Sequence, residues 1–276
     1  MFSVFMKVLI LGYSSFAKKT VIPALLKHSK FELVGVASKS GSGEIVTFND
    51  YGEAIEKSDC DVVYISLANS LHKKWILESL LFGKSVIVDK PGVLNGSEAL
   101  ECVRKAGKKL LIYESLPYLF YKKQKIGNLS FINANFGFPE LPKDNFRNFK
   151  KFGGGAVNDL GPYLVATGEY YFGGYPKKIY STGSFKKRAV ILDYGNDKIL
   201  SGAIGFGLKY QNKLELWGEN YYRKLERAFS FPEADSLDAF KNMLDDFCKV
   251  YKSGDYKKNN EVFFKRASVL GEINHD

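Results

Sequence analysis

The sequence predicts an α/β domain, a doubly wound parallel sheet over residues 1–118, followed by an α+β domain over residues 119–276 whose sheet is open and mainly antiparallel. Three observations lead there. Up to about residue 115, short apolar runs alternate with helix-length segments. Beyond residue 119, strand-like runs follow one another with turn residues between them. A glycine turn, Gly12 to Ala17, joins the first strand to the first helix. Strands separated by helices form βαβ units with right-handed crossovers, hence a parallel sheet covered on both faces. Strands joined by turns pair antiparallel and need only one covered face.

In the first domain, the apolar run Lys7–Leu11, stopped by Gly12, is the opening strand, and Ala17–His28 the first helix. Phe31–Ala37 and Asp61–Leu67 read as the next strands, Ser70–Phe82 as a helix, Ser85–Val88 as a strand, Ser97–Ala106 as a helix and Lys109–Tyr113 as the last strand. In the second domain Leu129–Phe138, Lys178–Gly183, Ala189–Asp193, Ile199–Gly207, Lys213–Gly218 and Lys224–Phe231 read as strands. A helix around Tyr163–Tyr171 interrupts them, and helices at Asp238–Lys252 and Glu261–Leu270 follow. An open sheet leaves one face without helices. The aromatic content of its strands (Phe131, Phe136, Phe138, Tyr180, Phe185) suggests burial against a second copy, as a homodimer or homotetramer.

Composition narrows the function. Residues are 45% hydrophobic and 25% charged, too apolar for a disordered chain. No apolar run approaches the roughly 18 residues that span a bilayer. The apolar start contains Lys7 and enters a turn without a small-residue cleavage site, so it reads as a strand and not a signal peptide. Cys60, Cys102 and Cys248 are too scattered for a disulfide framework or metal cluster, which points to a cytoplasmic protein without a metal. The net charge of +10 favours an anionic partner, whether nucleic acid, a phosphorylated cofactor or a phosphorylated substrate, and is equally explained by a lysine-rich surface that follows genome composition. Its lysine pairs (Lys18-Lys19, Lys73-Lys74, Lys186-Lys187) are dispersed, which argues against dedicated nucleic-acid binding.

Several strand ends carry chemistry. Gly12-Tyr13-Ser14-Ser15-Phe16-Ala17 stands where a dinucleotide fingerprint belongs, between a strand and a helix whose first N–H groups face a pyrophosphate. Ser14 replaces the middle glycine; its hydroxyl can reach a phosphate oxygen, although it can also hold the backbone further away. At the end of the second strand, Ser38 and Lys39 stand where an acidic residue would hold the ribose of NAD. A hydroxyl and a cation suit a 2′-phosphate, so NADP(H) is expected over NAD(H). Leu67, Asn69 and His72 follow the next strand, with Asn69 or Ser70 a natural helix cap. Asp89 and Lys90 end the strand after that, where a parallel sheet faces its ligand crevice. Gly153-Gly154-Gly155 precedes Asp159 and Tyr163, four apart on one helical face, with Pro162 better suited to a first turn than to a helix interior. Taken singly, each feature is also explained as a solvated turn, a cap or a buried helix.

Together, in this order, they resemble the GFO/IDH/MocA oxidoreductases, the family of glucose–fructose oxidoreductase and inositol dehydrogenase. Asp61-Val-Val-Tyr-Ile-Ser-Leu-Ala-Asn-Ser-Leu-His72 is similar to the family's D-x-V-x-I-x-T-P-N-x-x-H, and Gly83-Lys-Ser-Val-Ile-Val-Asp-Lys-Pro91 to its G-K-H-V-x-x-E-K-P. Asn145-Phe-Arg147, the triple glycine and Asp159-Leu-Gly-Pro-Tyr163 are similar to its N-x-R and G-G-G-x-x-x-D-x-G-x-H/Y stretch. Ser14, Ala68 for proline and Asp89 for glutamate depart from the pattern.

The resemblance implies hydride transfer between a nicotinamide and a secondary alcohol or ketone of a sugar, cyclitol or nucleotide-linked sugar. It implies that Lys90 bonds the reacting oxygen, Tyr163 is the acid/base, and Asp159 orients the sugar or that base. Tyr118, Arg147 and Asp159 would contact the substrate. A positioned ammonium beside a phenol would favour proton exchange with the carbinol oxygen. The rival reading is a non-catalytic, dinucleotide-binding regulator of the same fold, which the altered glycine turn leaves open.

Overall fold

The computed structural model describes residues 5–40, 43, 45–120, 128–229 and 233–275. The chain begins with β1 (Met6–Leu11), a π-helical turn (Ala17–Val21) continuing into α1 (Ile22–Lys27), β2 (Phe31–Ala37), α2 (Tyr51–Lys57), β3 (Val62–Ile65), α3 (Asn69–Leu81), β4 (Ser85–Asp89), α4 (Gly96–Ala106) and β5 (Ile112–Ser115). The five strands lie in the order β2-β1-β3-β4-β5, every neighbouring pair parallel. Burial on both sides explains their unbroken apolar runs. Along β1, Leu9 and Leu11 enter one helical layer with Trp75 and Ile76 of α3, while Val8 and Ile10 enter the other. The sequence reading missed α2, a short helix that Asp50 caps by accepting from the N–H groups of Gly52 and Glu53.

The second domain contains β6 (Leu129–Phe138), α5 (Ala156–Phe172), β7 (Lys178–Gly183), β8 (Lys187–Gly195), β9 (Lys198–Phe206), β10 (Gln211–Gly218) and β11 (Tyr221–Glu226). The sheet order is β11-β10-β6-β9-β8-β7, antiparallel except for the central pair β6–β9. The expected strand at 224–231 begins earlier and ends at Glu226; its residues 230–231 lie outside the described residues.

One face of this sheet buries Ile132, Ala134 and Phe136 against α5. The other carries a row in register across four strands, Ile199, Phe131, Trp217 and Tyr222, with Trp217 46% and Tyr222 57% exposed. Phe136 and Phe138, expected on the open face, belong to the covered one, because strand alternation places them opposite Phe131.

α5 starts seven residues before Tyr163 and runs straight through Pro162. Its burial outweighs the local cost of the proline, since nearly every residue from Ala156 to Gly168 is inaccessible. The chain then returns to the first domain. In α6 (Glu233–Ser253), Phe240, Met243, Leu244 and Phe247 cover the Val8–Ile10 face of the parallel sheet. α7 (Lys257–Asn274) packs Phe263 and Ala267 on the opposite face, and Val269, Leu270 and Ile273 in the core of the second domain. The first domain's helical cover therefore comes partly from beyond residue 118. No described helix is long and apolar enough to cross a membrane.

Candidate active site

Strand order reverses between β1 and β3, and there the carboxyl ends of β1, β3 and β4 open a crevice toward the second domain. A cleft of about 790 Å³ lies in it, bounded on one side by Ser14, Ser15 and Phe16 and on the other by Asp159, Tyr163 and Phe229. Gly12 makes the approach possible. Its φ is +101°, and a Cβ there would stand 2.1 Å from the main-chain oxygen of Ser66. No other residue fits. The turn after β1 thereby lies close against β3, with Lys19 and Thr20 also on the cleft. Main-chain N–H groups, hydroxyls and a cation at one end of such a cleft fit the phosphates of a dinucleotide.

Lys90 follows β4 and reaches across to α5. Its Nζ donates to the main-chain oxygen of Asp159 at 2.6 Å and to Asp159 Oδ1 at 2.9 Å. Arg147 Nε approaches the same Oδ1 at 2.9 Å. Asp159 sits in the first turn of α5, three residues before Pro162, and offers Lys90 both its main-chain oxygen and its carboxylate. Burial by itself would depress the Lys90 ammonium, but the charge of Asp159 and the neighbouring Tyr163 outweigh it and hold the pKa above the ordinary lysine value. Burial likewise pushes Asp159 up, and Lys90 and Arg147 more than reverse it. The pair is ionised.

Tyr163 stands beside this pair with Lys90 Nζ 5.0 Å from its ring centroid. The ammonium's two bonds go to Asp159, so the expected Lys–Tyr couple is a Lys–Asp ion pair set over the phenol ring. Phe229 stacks on Tyr163 at 5.4 Å, and Tyr118 and Phe136 close an aromatic box around it at 5.0 and 5.5 Å. Tyr118 is buried, its hydroxyl 3.4 Å from the oxygen of Pro162.

The cleft gathers most of the residues singled out in the sequence: Ser14, Ser15, Phe16, Leu67, Asn69, Asp89, Lys90, Tyr118, Arg147, Asp159 and Tyr163 all line it. Others lie elsewhere. Tyr13 packs under the ammonium of Lys18 and Ala17 is buried in the first domain. Ser38 is buried against Ser40, and Lys39 is exposed 5.7 Å from the Tyr51 ring; neither lines the cleft. His72 is fully buried behind the wall, its ring nitrogens 2.8 Å from the oxygen of Pro91 and 3.1 Å from that of Leu67, so it braces both loops. Asn69 does not cap α3; its amide donates to the oxygen of Gly153 at 2.9 Å and ties the two domains together.

Sequence reasoning missed Ser66, Phe136, Asn212 and Phe229 on the cleft. Alternation in β6 marks Phe136 as inward-facing once the register is known. Phe229 has no such signal: Asn212 holds its N–H at 3.0 Å from another strand.

The first domain matches the model of an oxidoreductase family with a NAD-binding Rossmann fold over residues 6–114. The second matches that family's C-terminal domain over residues 120–221. A dTDP-3,4-didehydro-2,6-dideoxy-α-D-glucose 3-reductase of Saccharopolyspora spinosa is 28% identical over 250 residues, covering 81% of this chain and 75% of that protein. A D-xylose 1-dehydrogenase (NADP(+)) of Haloferax volcanii is 26% identical over 241 residues, 78% of this chain and 71% of that one. A mutant of KijD10, a 3-ketoreductase from Actinomadura kijaniata solved with TDP-benzene and NADP, superposes with a TM-score of 0.86 at 20% identity, over 98% of this chain and 97% of that one, and shares the fold. With both domains matched in order and the motif residues assembled around one cleft, the chain belongs to the GFO/IDH/MocA family of oxidoreductases.

Proposed function

We propose that the protein is an NADP(H)-dependent reductase of a nucleotide-linked keto sugar, working at the cleft between Lys90 and Tyr163. One observation carries the reading. A half-buried, charge-paired lysine, a tyrosine and an arginine converge on one wall of a cleft whose other wall carries the turn after β1. A bound nicotinamide supplies the hydride. The rest falls to the chain. Asp159 holds Lys90 with two of its three N–H donors engaged, and the third polarises the substrate oxygen. Tyr163 gives that oxygen its proton, with the ring fixed by Phe229 and Tyr118. Arg147, on the same carboxylate, lines the cleft where an anionic group of the substrate would lie.

Support for a nucleotide-linked sugar comes from the reductases among the relatives and from a volume in the upper range of small-molecule sites. Support for NADP comes from Lys39, with no acidic residue at the end of β2, and from the relatives named with it. Asp50, electrostatically close to Lys39, is engaged as the α2 cap. The three free, buried cysteines fit a cytoplasmic enzyme. Oxidation of NADPH, followed by absorbance with a panel of dTDP-linked keto sugars, free keto sugars and cyclitol ketones, tests the reading. Turnover confined to the free sugars would refute the nucleotide requirement, and turnover with none would refute the reductase assignment.

A further inference from the structure

Two departures from the family pattern, Ser14 and Asp89, meet in one part-buried hydrogen-bond chain. Ser14 Oγ accepts from the Ala17 N–H at 2.9 Å and lies 2.8 Å from Ser66 Oγ. Ser66 Oγ lies 2.6 Å from Asp89 Oδ2, and the Tyr64 hydroxyl 2.6 Å from Asp89 Oδ1. Tyr64 in turn is 3.1 Å from Ser115 Oγ. Tyr64, Ser66 and Ser115 are all buried. Burial pushes the Asp89 carboxyl up, and the direction of the chain is fixed at that end by the hydroxyls of Tyr64 and Ser66, both of which donate to it. Ser66 gives its proton to Asp89, so its oxygen receives the proton of Ser14, whose own oxygen receives the Ala17 N–H. Ser14 and Ser66 thus each donate once and accept once. The chain crosses the carboxyl ends of β1, β3, β4 and β5, and its members Ser14, Ser66, Asp89 and Ser115 form part of the cleft wall.

We infer that Ser14 is a positioning residue for the cofactor: through Ser66 it fixes the turn after β1 to Asp89, and so sets the span between the phosphate-facing turn and the Lys90 end of the cleft. This rests on the assignment of a nicotinamide dinucleotide to that cleft. The hydroxyl is committed within the protein and is no substitute phosphate ligand. Glycine at this position, the residue of the ordinary fingerprint, strands the oxygen of Ser66 and the Ala17 N–H and loosens the turn. Restoring the fingerprint therefore weakens cofactor binding.

The test is fluorescence titration of the full-length chain with NADPH and, separately, with adenosine 2′,5′-bisphosphate, which lacks both the pyrophosphate and the nicotinamide. Ser14→Gly and Ser66→Ala each raise the NADPH Kd by about tenfold, the value of one buried hydrogen bond. The double variant is no weaker than about twofold beyond either single one, because both cut the same chain. Binding of the bisphosphate is unchanged in all three. Ser14→Ala repeats the measurement without the freedom of glycine and serves where Ser14→Gly does not fold.

Equal or tighter NADPH binding by Ser14→Gly overturns the inference. So do multiplied losses in the double variant, or equal losses for both ligands, which would mark a merely structural serine. A wild-type protein that does not bind NADPH overturns the cofactor assignment and the inference with it; a wild-type protein that binds while Ser14→Gly is indifferent overturns the inference alone.

Discussion

Replacing Asp159 with Asn tests whether one carboxylate organises the site. Lys90 Nζ and Arg147 Nε both lie 2.9 Å from Asp159 Oδ1, hence within 5.8 Å of each other. An amide oxygen keeps the shape and one acceptor but leaves the two cations facing each other uncompensated. At an effective dielectric near 20 their repulsion is about 3 kcal/mol. Arg147 is a third exposed, which screens part of it. The weaker neutral hydrogen bonds add to the loss, leaving about 2–3 kcal/mol in all.

With about 2.1 cal/mol/K per residue, 276 residues give an unfolding entropy near 0.6 kcal/mol/K, so Asp159→Asn lowers Tm by roughly 3–5 °C in calorimetry. Adding Arg147→Met to Asp159→Asn removes the repulsion and restores most of the loss. The carboxyl pKa of Asp159 is depressed in the folded protein, so its contribution is complete above the ordinary value of 3.8 and is lost as pH falls through the lower folded value. The Lys90 side of the same pair holds up to the ordinary 10.5 and beyond. The gap between wild type and Asp159→Asn is therefore constant near neutrality and closes in acid, and again in strong base as pH rises through the raised Lys90 value. An unchanged Tm, or further destabilisation on adding Arg147→Met, refutes the reasoning.

Tyr163→Phe lowers kcat by about 10²–10⁴ while the NADPH Kd stays near wild type; steady-state kinetics with normal turnover would move proton transfer to Lys90. Lys39→Asp shifts the ratio of kcat/KM for NADPH over NADH toward NADH, and a wild type that uses both equally would remove the basis for the 2′-phosphate reading. The Ile199–Phe131–Trp217–Tyr222 row is the proposed contact between copies, so Trp217→Lys yields a monomer by light scattering where wild type gives a dimer or tetramer. A monomeric wild type at micromolar concentration would refute it.

The sequence discloses the parallel sheet, and it names many of the residues that line the cleft, because both are local. A strand buried on two faces is a run of apolar residues, and a site at strand ends falls on the residues that follow each run. Lys90 and Asp89 are legible for that reason. The placement of His72 is not, since the residue that follows a strand by one helical turn can face the cleft or brace its wall, and only the Pro91 oxygen decides. α5 was read short because a proline is a local cost, whereas the burial that overrides it belongs to the whole second core. Phe229 and the side of the sheet on which Phe136 lies depend on register between strands far apart in the chain. The Lys90–Asp159 pair joins residues of different domains; its members were legible, its geometry was not.

The first sheet receives α6 as cover for Val8, Ile10, Tyr64 and Ile87 only after the entire second domain has been made. During synthesis the nucleotide-binding half therefore emerges with this face covered only by the turn and α1, through Val21, Ile22 and Leu25, and the rest stays open until α6 leaves the ribosome. α7 then closes on both halves at once, with Asn260 bonded to the main chain of Leu110 and Ile112 at the edge strand. The two halves mature together. Residues 1–118 excised as a portable nucleotide-binding module would carry that open face with them and aggregate, whereas moving the segment from residue 233 onward to the front of β1 by circular permutation would let the first half close its core early.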